Sequence, residues 1–185
     1  MVARWSGFAL AAPRLAEAVH DLLHQYGPGL GYLATVRADG GPRVHPVSPV
    51  VHDGGLYCFV IASPKRADLD RDGRYALHAF PPDSSEDEAY LSGRAIRVTE
   101  RELIVRLAAK MRAEPRVDWR LYEFTIEVAM TVRRGAAGSA GAGGAGAGGA
   151  GGVSLVAAAG ERPVECEIWR DPGYGVRVAA ADSVQ

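Results

Sequence analysis

The sequence predicts an α+β protein in which β-strands dominate and a few helices flank a mostly antiparallel sheet. Short apolar runs rich in β-branched and aromatic residues recur along the chain, and Asp-Gly-Gly turns at residues 39–41 and 53–55 separate the first of them. Only a few segments show helical periodicity. Together these patterns indicate about six to eight strands and about three helices.

Composition and charge are those of an ordinary globular protein. The 185 residues carry a formal charge of −1 and are 48% hydrophobic, which argues against a nucleic-acid-binding protein because those usually carry a strong basic excess. No apolar run approaches the ~18 residues of a membrane helix, and the first residues lack a signal-peptide pattern. We therefore expect residues 1–185 to form a single cytoplasmic domain without nucleic-acid or membrane partners.

The first helix is predicted over residues 13–26, where Leu15, Val19 and Leu23 fall on one face. His20 and His24 are spaced i, i+4, a spacing that can place two imidazoles on one metal ion. Exposed helix histidines are commoner than metal ligands, so we predict no metal site here.

The next three strands are predicted to form an antiparallel meander. They cover residues 31–36, 43–51 and 56–62, and the two Asp-Gly-Gly turns join them. Pro46 and Pro49 lack backbone N–H donors, so the middle strand must be an edge strand or be interrupted where something else lies alongside it. A flat cofactor and an unliganded bulged edge are both consistent with this pattern.

The junction after the third strand is the first candidate site. Ser63 is in position to be an N-cap, Pro64 suits the first helical residue, and Lys65 and Arg66 add two cations to the helix N-terminus. Backbone N–H groups and the positive end of the helix dipole favour a phosphate there. An ordinary capped helix with solvated basic residues has the same pattern, so both interpretations stay open.

The second half of the chain adds further strands and one helix. Strands are predicted at residues 74–80, 89–98, 120–132 and 164–169, and a capping box at Thr99–Glu102 opens a helix through Met111. Residues 135–152 are almost purely glycine and alanine, which predicts a disordered insertion, and residues 153–156 are expected to return and pair with the strand before it.

The order and spacing of these motifs resemble the pyridoxamine 5'-phosphate oxidase-like family. The resemblance covers about residues 30–100. It depends on five motifs: Leu-Ala-Thr-Val (33–36), Asp-Gly-Gly-Pro-Arg-Val-His-Pro-Val (39–47), Gly-Leu-Tyr (55–57), Ser-Pro-Lys-Arg-Ala-Asp-Leu (63–69) and Asp-Gly-Arg-Tyr-Ala-Leu (72–77). It implies a split β-barrel that binds flavin or deazaflavin. Residues 169–173 do not reproduce the C-terminal arginine and histidine motifs of true pyridoxamine phosphate oxidases, which argues against vitamin B6 oxidation.

The resemblance also implies which residues contact the cofactor. The cofactor phosphate would lie at Ser63, Lys65 and Arg66, and the isoalloxazine ring would lie beside Pro46, Val47 and Ser48. The family binds its cofactor across a two-fold dimer interface, so Trp169 on a late strand would approach the ring bound to a partner subunit. A homodimer is expected on a second ground, since both faces of residues 56–62 are apolar. One face can line the barrel interior, and the other needs cover from helices or from a partner subunit.

Three functions follow from these expectations. The first is an FMN-dependent oxidoreductase acting on a small organic substrate, with a deazaflavin as the alternative cofactor and with catalytic residues unassigned, because the cofactor carries the hydride chemistry. The second is a module that binds flavin, deazaflavin or haem without efficient turnover. The third is a cofactor-free domain.

Overall fold

A computed structural model describes residues 3–83, 85–114, 116–134, 153–155 and 164–174. The helices in these ranges are α1 (Trp5–Ala11), α2 (Pro13–His24), α3 (Pro64–Arg71) and α4 (Arg101–Lys110). The strands are β1 (Gly31–Val36), β2 (Pro42–Val47), β3 (Val50–His52), β4 (Gly55–Ile61), β5 (Arg74–Ala79), β6 (Glu88–Arg97), β7 (Trp119–Arg134), β8 (Val153–Leu155) and β9 (Val164–Arg170). The predicted α+β class with a dominant antiparallel sheet is confirmed.

The sheet curls into a barrel that is split along one side. Its strands follow the order β2-β1-β5-β6-β7-β4-β3, so β2 and β3 are the two outer edges of this path. Only Ser48 and Pro49 separate those strands in the chain. Because the three steps from Val47 to Val50 span at most about 11 Å, the two edges must lie close together. The short link Ser48-Pro49 therefore closes the barrel between β2 and β3, which are not hydrogen-bonded to each other.

The proline pattern predicted this break, and the meander predicted across it is wrong. β2 pairs with β1 as an edge strand, while β3 pairs with β4 through the two-residue turn Asp53-Gly54. Both turn residues have positive φ, 44° and 71°, as a tight hairpin requires. Pro46 is tolerated within the edge strand β2, and the break falls at Ser48 and Pro49. The single strand predicted over residues 43–51 therefore becomes two, because Pro49 has no N–H donor to continue the pairing.

Helices α2 and α4 cover different faces of the sheet. Leu15, Val19 and Leu23 of α2 are buried in the main core, as the periodicity predicts, and each contributes about 2 kcal/mol through burial. Leu103 and Leu107 of α4 form a second cluster with residues of β4 and β7. Helix α4 thus covers the outer apolar face of β4, so the argument for a partner subunit from residues 56–62 no longer holds.

Three further features differ from the sequence expectations. Helix α1 was not expected, because its seven residues show little periodicity, yet Trp5 and Phe8 are buried in the core. The residue before α4 is Glu100, with no side-chain cap, in place of the capping box expected from Thr99. Strand β8 pairs with β9, and β9 pairs with β7, so the expected pairing of residues 153–156 with the preceding strand is wrong.

The predicted glycine- and alanine-rich insertion at residues 135–152 lies outside the described residues. Within the described ranges, every helix is too short or too polar to cross a membrane.

Candidate functional site

The turn from β4 into α3 has the predicted backbone. Ser63 is at the N-cap position with an extended backbone, φ −164° and ψ 163°, and Pro64 is the first helical residue. The Ser63 hydroxyl does not cap the helix, because it donates to the carbonyl oxygen of Ile61 at 2.9 Å. The helix start is therefore formed by the backbone, and the hydroxyl lies beside it.

Lys65 joins this turn to the edge strand β2. Its Nζ donates to the backbone carbonyl oxygen of Pro46 at 3.3 Å. Pro46 and Ser48 are both exposed at this point of the split in the barrel. The structure therefore brings together Lys65 and the β2 segment, to which the family resemblance assigned the two ends of one cofactor.

Arg66 is engaged elsewhere. Its NH1 donates to Oδ1 of Asp118 at 2.9 Å and to the backbone carbonyl of Asp118 at 3.0 Å, and its NH2 donates to Oδ2 at 2.8 Å. These hydrogen bonds hold the pKa of the Asp118 carboxyl below its ordinary value. The Arg66 side chain is only 13% exposed and is already paired with Asp118, so it is poorly placed to bind an anion from solvent.

A buried carboxylate positions α3 against the sheet. Asp68 is 3% exposed and accepts from the hydroxyl of Thr35 at 3.0 Å and from Nε of Arg43 at 2.7 Å. Burial raises the pKa of Asp68, but the donors of Arg43 and Thr35 outweigh it and the net pKa is lowered. Because Thr35 lies on β1 and Arg43 on β2, this network fixes the distance between Lys65 and β2.

A cleft of about 510 Å³ opens beside the β2–β3 link. Its walls are Ser48, Pro49 and Val50 from the link, the last turn of α2, and the end of α4 with Lys110 and Arg112. Gly29 is required at its base, since a Cβ there would lie 1.9 Å from the carbonyl oxygen of Pro49. The cleft thus combines apolar walls with cations at one side.

Two histidines of α2 line this cleft. The rings of His20 and His24 stack with centroids 4.4 Å apart, and Nδ1 of His24 lies 2.9 Å from the backbone carbonyl oxygen of His20. A carbonyl only accepts, so Nδ1 of His24 carries the proton and its Nε2 holds a lone pair in the neutral ring. Burial lowers the pKa of His24, which keeps the ring neutral at pH 7. The described residues contain no cluster of three or more metal-binding side chains.

The other two predicted site residues, Val47 and Trp169, are buried. Val47 is 8% exposed and belongs to the main core. Trp169 is also 8% exposed, and its ring packs 5.1 Å from that of Phe8. Approach of Trp169 to a cofactor on a partner subunit stays a prediction.

Comparison with solved structures identifies the fold. No family model matches the sequence, and no curated protein is similar to it in sequence. A protein related to general stress protein 26, of the pyridoxine phosphate oxidase family, from Clostridium acetobutylicum superposes with a TM-score of 0.53. The two share 17% identity over 65% of this chain and 89% of that one. The chain has the pyridoxamine phosphate oxidase-like fold.

Two further proteins share this pyridoxamine phosphate oxidase-like fold. General stress protein 26 from Bacillus anthracis matches with a TM-score of 0.51 and 19% identity over 62% of this chain and 91% of that one. A haem-binding protein from Mycobacterium smegmatis matches with the same TM-score and identity over 62% of this chain. The match spans only 52%, about half, of the length of that protein. The predicted resemblance is confirmed for the fold.

Sequence reasoning missed several residues that shape the site. Asp118 pairs with Arg66 from 52 positions away, and no local pattern marks it as the partner. Gly29 and Lys110 meet at the cleft from different elements. The i, i+4 spacing of His20 and His24 was the one available signal for the cleft, but it was weighed only as a metal site and not as a cavity wall.

Proposed function

We propose that this protein binds a phosphate-bearing flavin cofactor, FMN or a deazaflavin, between β2 and the start of α3, and uses it to oxidise or reduce a small organic molecule. The observation that carries the proposal is the 3.3 Å contact between Lys65 Nζ and the Pro46 carbonyl oxygen. It joins a cation at a helix N-terminus to an exposed strand edge, which are the two surfaces that a phosphate and a flat ring require.

Lys65 is the side chain that we assign to the phosphate. A carbonyl contact at 3.3 Å leaves an ammonium group with donors to spare, whereas Arg66 already makes a bidentate ion pair. The start of α3 adds the positive end of a helix dipole to the same region. Ser63 supports the phosphate only if its hydroxyl turns away from Ile61.

The ring is assigned to the exposed segment of Pro46 and Ser48. Proline presents an apolar ring and no N–H donor, so this edge of the sheet suits a flat aromatic group better than another strand. When bound, the flavin would supply hydride transfer, and the protein would supply binding, orientation and exclusion of water. The buried Val47 side chain anchors the end of β2 in the core and so helps to position this edge.

The absorption spectrum of the purified protein tests this proposal first. We expect a flavin or deazaflavin spectrum, with the cofactor released on denaturation and identified by mass spectrometry. Protein that purifies without a chromophore and fails to bind added FMN or deazaflavin would overturn it.

We further propose that the protein is a homodimer formed through the outer face of β1 and β2. Tyr32 lies directly opposite Pro46, and Val44 is two residues from Pro46, so the three share one face of the sheet. Tyr32 is 38% exposed and Val44 is 58% exposed. A second copy covering this face would also cover the proposed cofactor site, as a cofactor at a subunit interface requires.

A second candidate function is haem binding without turnover, and His24 is the observation that favours it. An axial haem ligand has a ring whose Nδ1 donates to a carbonyl and whose Nε2 is available to the iron. In His24, Nδ1 donates to a backbone carbonyl, and Nε2 has no hydrogen bond among the described residues. The cleft adds apolar walls, and Lys110 and Arg112 suit the carboxylates of haem.

Titration with hemin separates this candidate from the flavin. We expect a shifted Soret band in the wild type that is lost in His24→Ala and kept in His45→Ala, a control histidine on β2. A Soret band that is the same in all three proteins would exclude His24 as the ligand.

A further inference from the structure

A second cavity lies at the opposite end of α3 from Lys65. It has a volume of about 610 Å³ and is formed where the last turn of α3 meets the end of β6 and the start of β7. Three arginines line it, Arg94, Arg97 and Arg120, together with Asp70 and Tyr122. No predicted cofactor residue belongs to this cavity.

The register of the sheet places two of these arginines on one face. Arg97 on β6 lies directly opposite Tyr122 on β7, and Arg120 precedes Tyr122 by two positions. Residues directly opposite each other in an antiparallel pair share a face, as do alternate residues of one strand. Arg97, Arg120 and Tyr122 therefore point in the same direction, toward the end of α3.

Asp70 orients Arg120 within the cavity. One carboxylate oxygen of Asp70 accepts from Arg120, and the other accepts from the hydroxyl of Tyr122 at 2.6 Å. Tyr122 is 1% exposed, and burial raises its pKa to about 12, so the hydroxyl stays protonated and keeps donating. Arg120 is thus held in place while most of its N–H donors remain available.

Arg94 and Arg97 have no ion-pair partner among the described residues. The Asp72 carboxylate, whose pKa the charge of Arg94 helps to lower, is already paired with Arg74 through a 2.6 Å contact. Arg94 also lies directly opposite Arg74 on β5, a placement of like charges that normally destabilises a sheet. The described residues lining the cavity hold three guanidinium groups and one carboxylate, an excess of two positive charges.

We propose that this cavity binds a small organic phosphate, a phosphate monoester dianion attached to a compact apolar or aromatic group. Arg97 and Arg120 project from the same face of the sheet, and their planar guanidinium groups match the charge and the bidentate geometry by which arginine recognises phosphate. Leu69, Ala95 and Ile96 line the remaining wall and suit the organic part of the ligand. The site is separate from the flavin site, since it uses neither Lys65 nor the β2 edge.

Calorimetric titration of adenosine monophosphate (AMP) into the full-length protein tests the proposal. We expect binding in the millimolar range or tighter, weakened about tenfold to a hundredfold in Arg97→Gln, because a charge-assisted contact is lost. Arg101→Gln is the matched control, since Arg101 is exposed on α4 and does not line the cavity. Adenosine without its phosphate is expected not to bind.

Three results would overturn the proposal. The first is the absence of any AMP binding. The second is an AMP affinity that is equal in the wild type and Arg97→Gln while both are folded by circular dichroism. The third is loss of AMP binding in Lys65→Ala with Arg97→Gln unaffected, which would place the phosphate at the flavin site. Failure of FMN binding leaves this test unchanged, so the two proposals fail independently.

Discussion

Arg66 and Asp118 form a bidentate ion pair between the start of α3 and the residue before β7, with N–O distances of 2.9 and 2.8 Å. The pair removes one of the two cations that follow Ser63 from contact with a ligand. Lys65, the other cation, reaches across the split in the barrel to the carbonyl of Pro46. Two adjacent basic residues therefore have different surroundings: Arg66 is held in an ion pair, and Lys65 donates only to a backbone carbonyl among the described residues.

The first prediction concerns Asp118. Asp118→Asn removes a negative charge near the proposed phosphate site and frees the guanidinium of Arg66, so the affinity for FMN should rise severalfold. Fluorescence titration measures it. Asp39→Asn is the control, because Asp39 makes a comparable exposed pair with Arg37 at 2.8 Å in the β1–β2 turn. A weaker affinity in Asp118→Asn would show that Asp118 orients Arg66 toward the phosphate.

The second prediction concerns the subunit interface. Val44→Glu places a charge on the apolar outer face of β2 and should convert the proposed dimer to a monomer with reduced cofactor affinity. Val105→Glu is a closely matched control, since Val105 is 59% exposed and Val44 is 58% exposed. Sedimentation velocity gives the answer. A wild-type monomer, or a dimer in Val44→Glu, would refute this interface.

The third prediction concerns acid stability. Hydrogen bonds from Arg74 lower the pKa of Asp72 to about 2, and the pKa values of Asp68 and Asp118 are lowered as well. Between an ordinary value of 3.8 and about 2, the unfolded state binds more protons than the folded state. The free energy of unfolding should therefore fall as the pH drops through this range.

Urea unfolding at a series of pH values measures this dependence. Asp68→Asn should flatten the slope, and it should cost about 3 kcal/mol at neutral pH because Arg43 loses its buried partner. A free energy of unfolding that is constant down to pH ~2 would contradict the lowered pKa values.

The fourth prediction concerns the base of the cleft. In Gly29→Ala the new Cβ would lie 1.9 Å from the Pro49 carbonyl oxygen, so the β2–β3 link must move, at a cost of about 1–3 kcal/mol. Gly7→Ala in α1 is the control, because its Cβ would meet nothing closer than Ala3 at 3.8 Å and should stabilise the helix by about 0.5–1 kcal/mol. Thermal unfolding of both variants tests this. A melting temperature of Gly29→Ala equal to that of the wild type would mean that the β2–β3 link at Ser48 and Pro49 moves at no cost.

The local features of the fold could be read from the sequence because they follow from single residues. Pro46 and Pro49 lack N–H donors and predicted the break in the strand, and Ser63-Pro64 predicted the start of α3. Pairing between distant segments could not be read in this way. Nothing in the sequence distinguishes Asp118 from the other aspartates as the partner of Arg66, and nothing indicates that β8 pairs with β9 in preference to β7.

The candidate site was predicted in part for the same reason. Lys65 and Pro46 were each singled out, and the structure brings them into contact. Neither the cleft beside the β2–β3 link nor the cavity lined by Arg94, Arg97 and Arg120 was anticipated. Each is formed by three segments that are distant in the chain, and their meeting point depends on the whole topology. Arg97 and Arg120 are 23 positions apart in the chain, and only the register of β6 on β7 places them on one face.

The most direct test of the account is the affinity for FMN, and for a deazaflavin, of the wild type, Lys65→Ala and Arg66→Ala. Loss of a charge-assisted contact should weaken binding about tenfold to a hundredfold in Lys65→Ala, and Arg66→Ala should cost less. If Lys65→Ala binds the cofactor as tightly as the wild type does, the phosphate lies elsewhere and the turn after β4 is an ordinary helix start.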